Sequence, residues 1–287
     1  MGDRMKRQCG KRGLFLFLCA VFLLTACAGE GEGKAQEEAA EEVFRVTGQD
    51  ERTEPENPLE IDLDACGEET LLLTQAGDVW LSGSLEEGQI VVDAEEDELV
   101  HLYLAGVDIS SGRGPALVVE EASKVIVTLV SGTENVLSDA PDYTGYEERQ
   151  ACLYSVCDLT INGDGSLRVF GYREDGIRSR DRIKLLGGRI EVQAKGDGIR
   201  GSDGLLVRAA ALDIQSEQNG LRTANQGPEG KGVVEIRGGT LSLIAGQNGI
   251  YAASDLYVRD CVCSVNSVEE KVRAEGTVYI EEGCLNR

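Results

Sequence analysis

Histidine, tryptophan and basic residues are scarce in this sequence. Its 287 residues include one His and one Trp, aromatic residues make up 5% of the chain, and 28 Lys and Arg stand against 51 Asp and Glu. A single His rules out an HExxH motif, and it rules out any catalytic site that combines a Ser-His-Asp triad with a second His. The cysteine spacing is not that of a zinc site. The sequence also has no Gly-rich phosphate-binding loop. It therefore carries no familiar catalytic motif.

The shortage of positive charge excludes nucleic-acid binding, which needs Lys and Arg to displace phosphate counterions. The formal net charge is −23. It becomes −27 if residues 1–26 are removed, because they contain five basic residues and one acidic residue. Such an acidic chain suits a protein of the cell surface, or one that holds cations.

The N-terminus is predicted to be a signal peptide spanning residues 1–26. Basic residues precede an apolar run from Gly13 to Leu24, which is too short for a stable membrane helix. The run closes with Leu24-Thr25-Ala26-Cys27, which resembles the bacterial lipobox. Diacylation of Cys27 would hold the exported protein at the outer face of the cytoplasmic membrane. The alternative is an ordinary cleaved signal followed by a chance Cys.

Residues 27–66 are rich in Glu and Gly and poor in apolar residues, so we predict an acidic, flexible tether. Residues 67–287 are predicted to be the folded domain. Beyond the lipobox the chain has six cysteines, for which buried free thiols are the expected state. Cys261 and Cys263 lie two apart on a predicted strand and are not expected to bridge each other. These six are Cys66, Cys152, Cys157, Cys261, Cys263 and Cys284.

The folded domain is built from a repeat. The stretch "EDGIRSRDRI" at 174–183 returns 22 residues later as "GDGIRGSDGL". Short in-out-in apolar triplets follow each copy, and no segment has the pattern of an amphipathic helix. Several short strands in a period of 20 to 30 residues indicate a solenoid, whereas a sandwich or propeller needs hairpins or blades near 40 residues. We predict an all-β fold, a single-stranded right-handed parallel β-helix with turns of about 22 residues.

The repeat predicts a ladder of carboxylates, because equivalent residues on adjacent turns lie about 4.8 Å apart. Two bare carboxylates at that spacing repel by about 3 kcal/mol at an effective dielectric near 20. Calcium, which prefers six to eight oxygen ligands, or the neighbouring arginines could neutralise them. Alternatively, the Asp-Gly pairs are simply turn formers. The predicted metal ligands are Glu174, Asp175, Asp181, Asp197 and Asp203.

A second ladder is predicted at the outward position after each inward Ile, Leu or Val. Guanidinium groups match carboxylates bidentately, so a row of them could grip successive uronic-acid units of a linear polysaccharide. Weak contacts would then add by multivalency. The bland alternative is a surface that balances its own charge. The row consists of Arg178, Arg200, Arg222, Tyr251 and Arg273.

These motifs resemble a known family. "LTINGDGSLRV", "DGIRSRD", "GGRIEVQAKGDGIRG" and "GGTLSLIAGQNGIYA", with a long "SGSL…VDISS…GTEN" block, are similar to the carbohydrate-binding right-handed β-helix domain of clostridial surface proteins. The resemblance spans about Leu71 to Arg287. It implies a pectate-lyase-like fold, bound calcium, and affinity for cellulose or acidic plant polysaccharide. The family's Asp motif falls on Glu174-Asp175 with Asp181 and on Asp197 with Asp203, while later turns carry Asn.

We therefore expect a lipid-anchored surface protein that binds polysaccharide, such as polygalacturonate or cellulose, without cleaving it, and with calcium at the acidic turns. One rival is a calcium-dependent pectate-type lyase, for which Arg178, Arg200 or Lys195 could serve as the base. Another is a structural adhesin or spacer. No catalytic residue is singled out.

Overall fold

The computed structural model describes residues 43–67, 70–146, 148–228 and 230–286. The predicted signal peptide, Cys27 and the first part of the predicted tether lie outside these residues. No helix in the described ranges is long and apolar enough to cross a membrane.

The regular secondary structure of the described chain is almost entirely β-strand. It begins with one short helix, α1 (Gly48–Glu51), and has a 3-10 turn at Leu63–Ala65. In chain order the strands are β1 (Leu59–Asp62), β2 (Thr70–Leu73), β3 (Gly77–Glu87), β4 (Gln89–Asp93), β5 (Leu99–Ser111), β6 (Leu117–Glu121), β7 (Lys124–Leu129), β8 (Glu134–Ser138), β9 (Ala151–Ser155), β10 (Asp158–Gly163), β11 (Ser166–Gly171), β12 (Asp175–Ser179), β13 (Arg182–Leu185), β14 (Arg189–Ala194), β15 (Ile199–Gly201), β16 (Gly204–Arg208), β17 (Ala211–Ser216), β18 (Leu221–Arg222), β19 (Val233–Arg237), β20 (Thr240–Ala245), β21 (Ile250–Ala252), β22 (Leu256–Arg259), β23 (Val262–Ser267), β24 (Val272–Ala274) and β25 (Val278–Ile280).

The strands wind into a parallel β-helix with three faces, which confirms the predicted fold. The first face runs β7, β10, β13, β16, β19, β22, β25, and the second runs β8, β11, β14, β17, β20, β23. The third face is a separate nine-stranded sheet in the order β2, β4, β6, β9, β12, β15, β18, β21, β24. The long strand β5 pairs with β7 through its first half and with β8 through its second half, so it joins the first two faces.

The core lies inside the three faces and follows the predicted columns. On the third face Ile177, Ile199 and Leu221 are in register and fully buried. On the first face Leu159 pairs with Ile183, and the column continues through every later turn. A strand whose alternate residues face inward gains stability only if adjacent coils keep this register, because a slip by one residue would expose the whole column.

The tether prediction is wrong for its second half. Residues 43–58, here called the strap, pack along the outer surface of the first face. Phe44 is 2% exposed and packs against Leu206 and Val233, while Asp50 in α1 is completely buried. Three apolar residues in "VFRV" and a capping box between Thr47 and Asp50 oppose the acidic composition around them. Composition therefore predicts a flexible segment here, but the burial of a few side chains holds residues 43–58 in place.

The Asp50 carboxylate is the polar anchor of the strap. It accepts hydrogen bonds from Thr160 at 2.6 Å and Lys124 at 3.0 Å, and Lys184 lies 3.3 Å away. Burial alone would raise its pKa, but the Thr160 hydroxyl, the Thr47 backbone and the two ammonium groups hold that pKa far below the usual range. Asp50 is therefore ionised wherever the protein is folded at neutral pH.

The last coil is closed by the C-terminal segment. Cys263 donates its N–H to the carbonyl of Cys284 at 2.7 Å, and Asn286 donates to the carbonyl of Cys263 at 3.0 Å. The Asn286 side chain accepts from Val265 N–H at 2.9 Å. Residues 284–286 thus cover the edge of β23, which would otherwise present unpaired backbone groups.

Candidate functional site

The predicted outward row exists on the third face, where its members pair in register on β12, β15, β18, β21 and β24. Arg178 pairs with Arg200, Arg200 with Arg222, Arg222 with Tyr251, and Tyr251 with Arg273. Each follows an inward apolar residue, so strand alternation turns it outward. Exposure of the arginine side chains rises along the row, from 18% at Arg178 through 21% and 30% to 48% at Arg273.

Tyr251 interrupts the arginines without ending the row. The guanidinium carbons of Arg222 and Arg273 lie 5.8 and 5.9 Å from the centre of its ring. Both are within the range of a cation–π interaction. The ring thereby separates two positive charges that would otherwise be adjacent, and it offers an aromatic surface within a charged row.

A ladder of Asp and Asn borders this row, at or just before the start of β12, β15, β18 and β21. Asp175 Oδ1 accepts the N–H of Asp197 at 2.8 Å. Asp197 Oδ1 accepts the N–H and the Nδ2 of Asn219 at 3.1 and 2.8 Å, and Asn219 Oδ1 accepts Nδ2 of Asn248 at 3.0 Å. Asp175, Asp197 and Asn219 therefore each accept a hydrogen bond from the next coil, so the motif holds adjacent coils together.

The arginines face the two buried carboxylates of the ladder. Arg222 Nη1 donates to Asp197 Oδ2 at 3.1 Å, and Arg200 Nη1 lies 3.9 Å from the same oxygen. Arg178 Nη1 lies 3.6 Å from Asp175 Oδ2, an oxygen with no hydrogen-bond partner. Three guanidinium groups against two carboxylates leave excess positive charge on a strongly negative protein.

Asp175 has a strongly shifted acidity. Burial, followed by repulsion from Asp197, raises its pKa from 3.8 to about 7, against the opposing effects of the Asp197 N–H and the arginines. Burial, and then the neighbouring guanidinium groups, lower the pKa of Arg200. At neutral pH Asp175 is therefore only partly ionised, which increases the positive excess of the row.

Close approach of the coils at this point requires glycine. A Cβ on Gly196 would lie 2.4 Å from Asp175 Oδ1 and 2.7 Å from the backbone of Glu174. The same packing puts the Gly196 N–H 2.7 Å from the Glu174 carbonyl. The glycine before Asp197 thus lets two carboxylates stack on adjacent coils.

The structure does not gather the five predicted metal ligands into one cluster. Strand β12 separates Asp175 from Asp181, and β15 separates Asp197 from Asp203. Asp203 accepts from Asn225 Nδ2 at 2.6 Å and pairs with Lys231. Calcium–oxygen bonds are about 2.3–2.6 Å long, so one ion cannot reach both ends of these strands. The ranges that the structure describes hold no group of three or more His, Cys, Asp or Glu arranged for a metal.

A second arginine row escaped the sequence analysis. Arg208, Arg237 and Arg259 pair in register at the ends of first-face strands. Arg237 and Arg259 both contact the fully buried Glu235, at 2.7 and 3.0 Å. The signal in the sequence was an Arg directly after the last apolar residue of three successive triplets, in Val207-Arg208, Ile236-Arg237 and Val258-Arg259. Because two of its members share one buried acid, this row stabilises the coils.

The single histidine has no catalytic setting. His101 is fully buried on β5 beneath the strap, where Nε2 lies 2.7 Å from the hydroxyl of Thr128. Burial, aided by the charge of Arg52, lowers its pKa to about 4. His101 is therefore neutral at physiological pH and unable to reach a ligand on the surface.

Fold and site together describe a solenoid with an ordered, charged row along its axis. A family model for carbohydrate-binding domain-containing proteins matches residues 67–285. A carbohydrate-binding domain-containing protein of Acetivibrio thermocellus is 36% identical over 270 residues, which cover 92% of this chain and 93% of that relative. The chain belongs to the carbohydrate-binding domain family.

A solved structure with a similar fold carries a related description. The polysaccharide lyase-like protein from C. thermocellum, determined as a gadolinium derivative, matches with a TM-score of 0.76 and 29% identity. The match covers 79% of this chain and 98% of that one. The predicted carbohydrate-binding family agrees with the first relative, and the predicted β-helix fold agrees with the polysaccharide lyase-like neighbour.

The Asp175 shift predicts how stability changes with pH. A carboxyl whose folded pKa exceeds its unfolded value stabilises the protein below about pH 4, and that stability is lost as the pH rises through about 7. Asp175→Asn keeps an oxygen for the Asp197 N–H but cannot ionise. Between pH 5 and 8 the native protein should lose about 2–4 kcal/mol more than the variant, measured by urea unfolding. Equal losses in both proteins would contradict the shift, and the exposed Asp213→Asn serves as the control.

Proposed function

We propose that the protein binds acidic polysaccharide without cleaving it, through the row from Arg178 to Arg273. The observation that carries this proposal is the register of Arg178, Arg200 and Arg222, which repeats one guanidinium per coil above only two carboxylates. A uronic-acid chain lying along the solenoid axis would meet one positive group at each coil. Arginine suits this ligand because its fork matches a carboxylate bidentately.

The excess charge gives the row its selectivity. Elsewhere the strongly negative surface repels an anionic polymer, so attraction must be local. The polymer carboxylates would extend the pairing that Asp175 and Asp197 begin. Tyr251, lying between two arginines, would contact a sugar ring with its aromatic face.

Calcium binding at the acidic turns is a proposal that comes from the sequence. Gadolinium in the solved neighbour supports hard-cation binding on this fold, since such ions share calcium's preference for oxygen. At the Asp175 and Asp197 pair, however, three of the four carboxylate oxygens already accept hydrogen bonds from the chain. The residues present do not fit the ion there. We assign neutralisation of the pair to the arginines, the other answer that the sequence left open.

Export and lipid attachment complete the proposal. Support comes from the basic and apolar N-terminal run and from Leu24-Thr25-Ala26-Cys27. An acylated Cys27 would hold the carbohydrate-binding domain at the outer face of the cytoplasmic membrane.

The test is a titration of the full chain with polygalacturonate, repeated with added Ca²⁺ and with a chelator. We expect saturable binding in both conditions, affinity that falls as salt increases, and no unsaturated product by absorbance. Binding only with Ca²⁺ would return the neutralising role to the ion. Product formation with Ca²⁺ would establish the lyase, and no binding in any condition would favour an adhesin or spacer.

A further inference from the structure

Three cysteines meet at the C-terminal end of the solenoid. The sulfurs of Cys261 and Cys263 are 3.4 Å apart, and the sulfur of Cys284 accepts the N–H of Cys261 at 3.4 Å. Their side chains are 8%, 2% and 5% exposed. The other described cysteines lie elsewhere along the chain, and all six are free thiols.

Cys284 belongs to the segment that closes the last coil. That segment is held by backbone hydrogen bonds to Cys263 and by the Asn286 side chain on Val265. A solenoid depends on such terminal caps, because its last coil has no neighbour to cover it. Terminal segments also fray most easily, so a covalent link here would stabilise the weakest end.

We propose that Cys261 and Cys284 form a disulfide that ties the C-terminal segment to the preceding coil. Both thiols lose a proton, a bond forms between their sulfurs, and the two electrons reduce a low-molecular-weight disulfide to two thiols. Export, itself a prediction from the N-terminus, would bring the chain to a compartment where such oxidants act. The inference does not depend on which ligand the arginine row binds.

Loop length favours this pair over Cys261 with Cys263, although the sulfurs of the latter two are in contact. Two residues apart on one extended chain, the latter would close a ring of three residues, which restricts the unfolded chain very little. A bond from Cys261 to Cys284 closes a loop of a whole coil, and the stabilisation from a disulfide increases with loop length. Cys263 then remains as a free thiol beside the bond.

The experiment compares the full chain after treatment with oxidised glutathione and after reduction. Each sample is unfolded, alkylated, digested with trypsin and analysed by mass spectrometry. Cleavage after Arg259, Lys271 and Arg273 places Cys261 and Cys263 in peptide 260–271 and Cys284 in peptide 274–287. We expect the oxidised sample to contain these two peptides joined, with Cys263 alkylated, and a melting temperature higher by about 5 °C.

The variants separate a cap bond from unspecific oxidation. Cys284→Ser should lose both the joined peptide and the rise in melting temperature, whereas Cys66→Ser should keep both. Complete alkylation after oxidation, a bridge confined to peptide 260–271, or a bond from Cys263 to Cys284 would each overturn the assignment. Folding of Cys284→Ser is checked by its unchanged circular dichroism.

Discussion

Replacing Arg178, Arg200 and Arg222 together by Gln is expected to weaken binding of polygalacturonate about 100-fold. Each substitution removes a charge-assisted contact with a polymer carboxylate. A loss of about 1 kcal/mol of binding free energy at each of three sites adds up to a decrease in affinity of about 100-fold. The salt dependence should flatten in parallel, because fewer ions are exchanged on binding. Affinity measured by calorimetry at two salt concentrations checks both effects.

Two further variants separate binding from folding. The triple variant leaves Asp197 buried without its ion-pair partners, so part of its effect is structural. Arg273→Gln avoids this problem, because Arg273 is 48% exposed and lies at the end of the row. It should weaken binding severalfold with no change in melting temperature, while Arg189→Gln on the second face should change neither. If the native protein, Arg273→Gln and Arg189→Gln all bound with equal affinity, the row would not be part of the binding site.

Asp50→Ala is expected to cost about 3–5 kcal/mol of stability. The substitution leaves the buried ammonium of Lys184 and the mostly buried one of Lys124 without their carboxylate, and unpaired buried charge is among the most costly defects in a protein. It also breaks the capping box that Asp50 forms with the N-cap residue Thr47 of α1. We therefore expect the strap to detach before the coils unfold.

Glu51→Ala is the matched control, since Glu51 is the next residue and also forms an ion pair, in its case with Arg208. Its side chain is 55% exposed, so its loss should cost less than about 1 kcal/mol. Chemical unfolding measures the cost, and proteolysis near residues 43–58 reports detachment of the strap. Similar losses in the two variants would show that the buried carboxylate is not the anchor.

The core was predictable from sequence because a period in the chain becomes a column in space. Ile177, Ile199 and Leu221 needed only strand alternation and a 22-residue repeat to be placed together. The same rule placed Arg178 beside Arg200 and Asp175 beside Asp197. The repeat and strand alternation were therefore enough to predict both the fold and the two ladders.

What the sequence analysis missed depends on contacts between distant segments. The strap packs through Phe44 and Asp50, which lie outside the repeat and whose partners on the coils are more than 70 residues away. The grouping of Asp181 with Asp175 failed for a different reason. Those carboxylates are close in sequence, but an extended strand separates them in space. A short separation along the chain therefore did not mean that the two side chains share a site.

The central claim concerns where an acidic polymer lies on the solenoid. Hydrogen exchange of the full chain with and without an oligogalacturonate tests this directly, because bound ligand slows exchange of the amides it covers. Slower exchange along β12, β15, β18 and β21, with the second face unchanged, is the expected result. Protection confined to the first or second face would contradict the account.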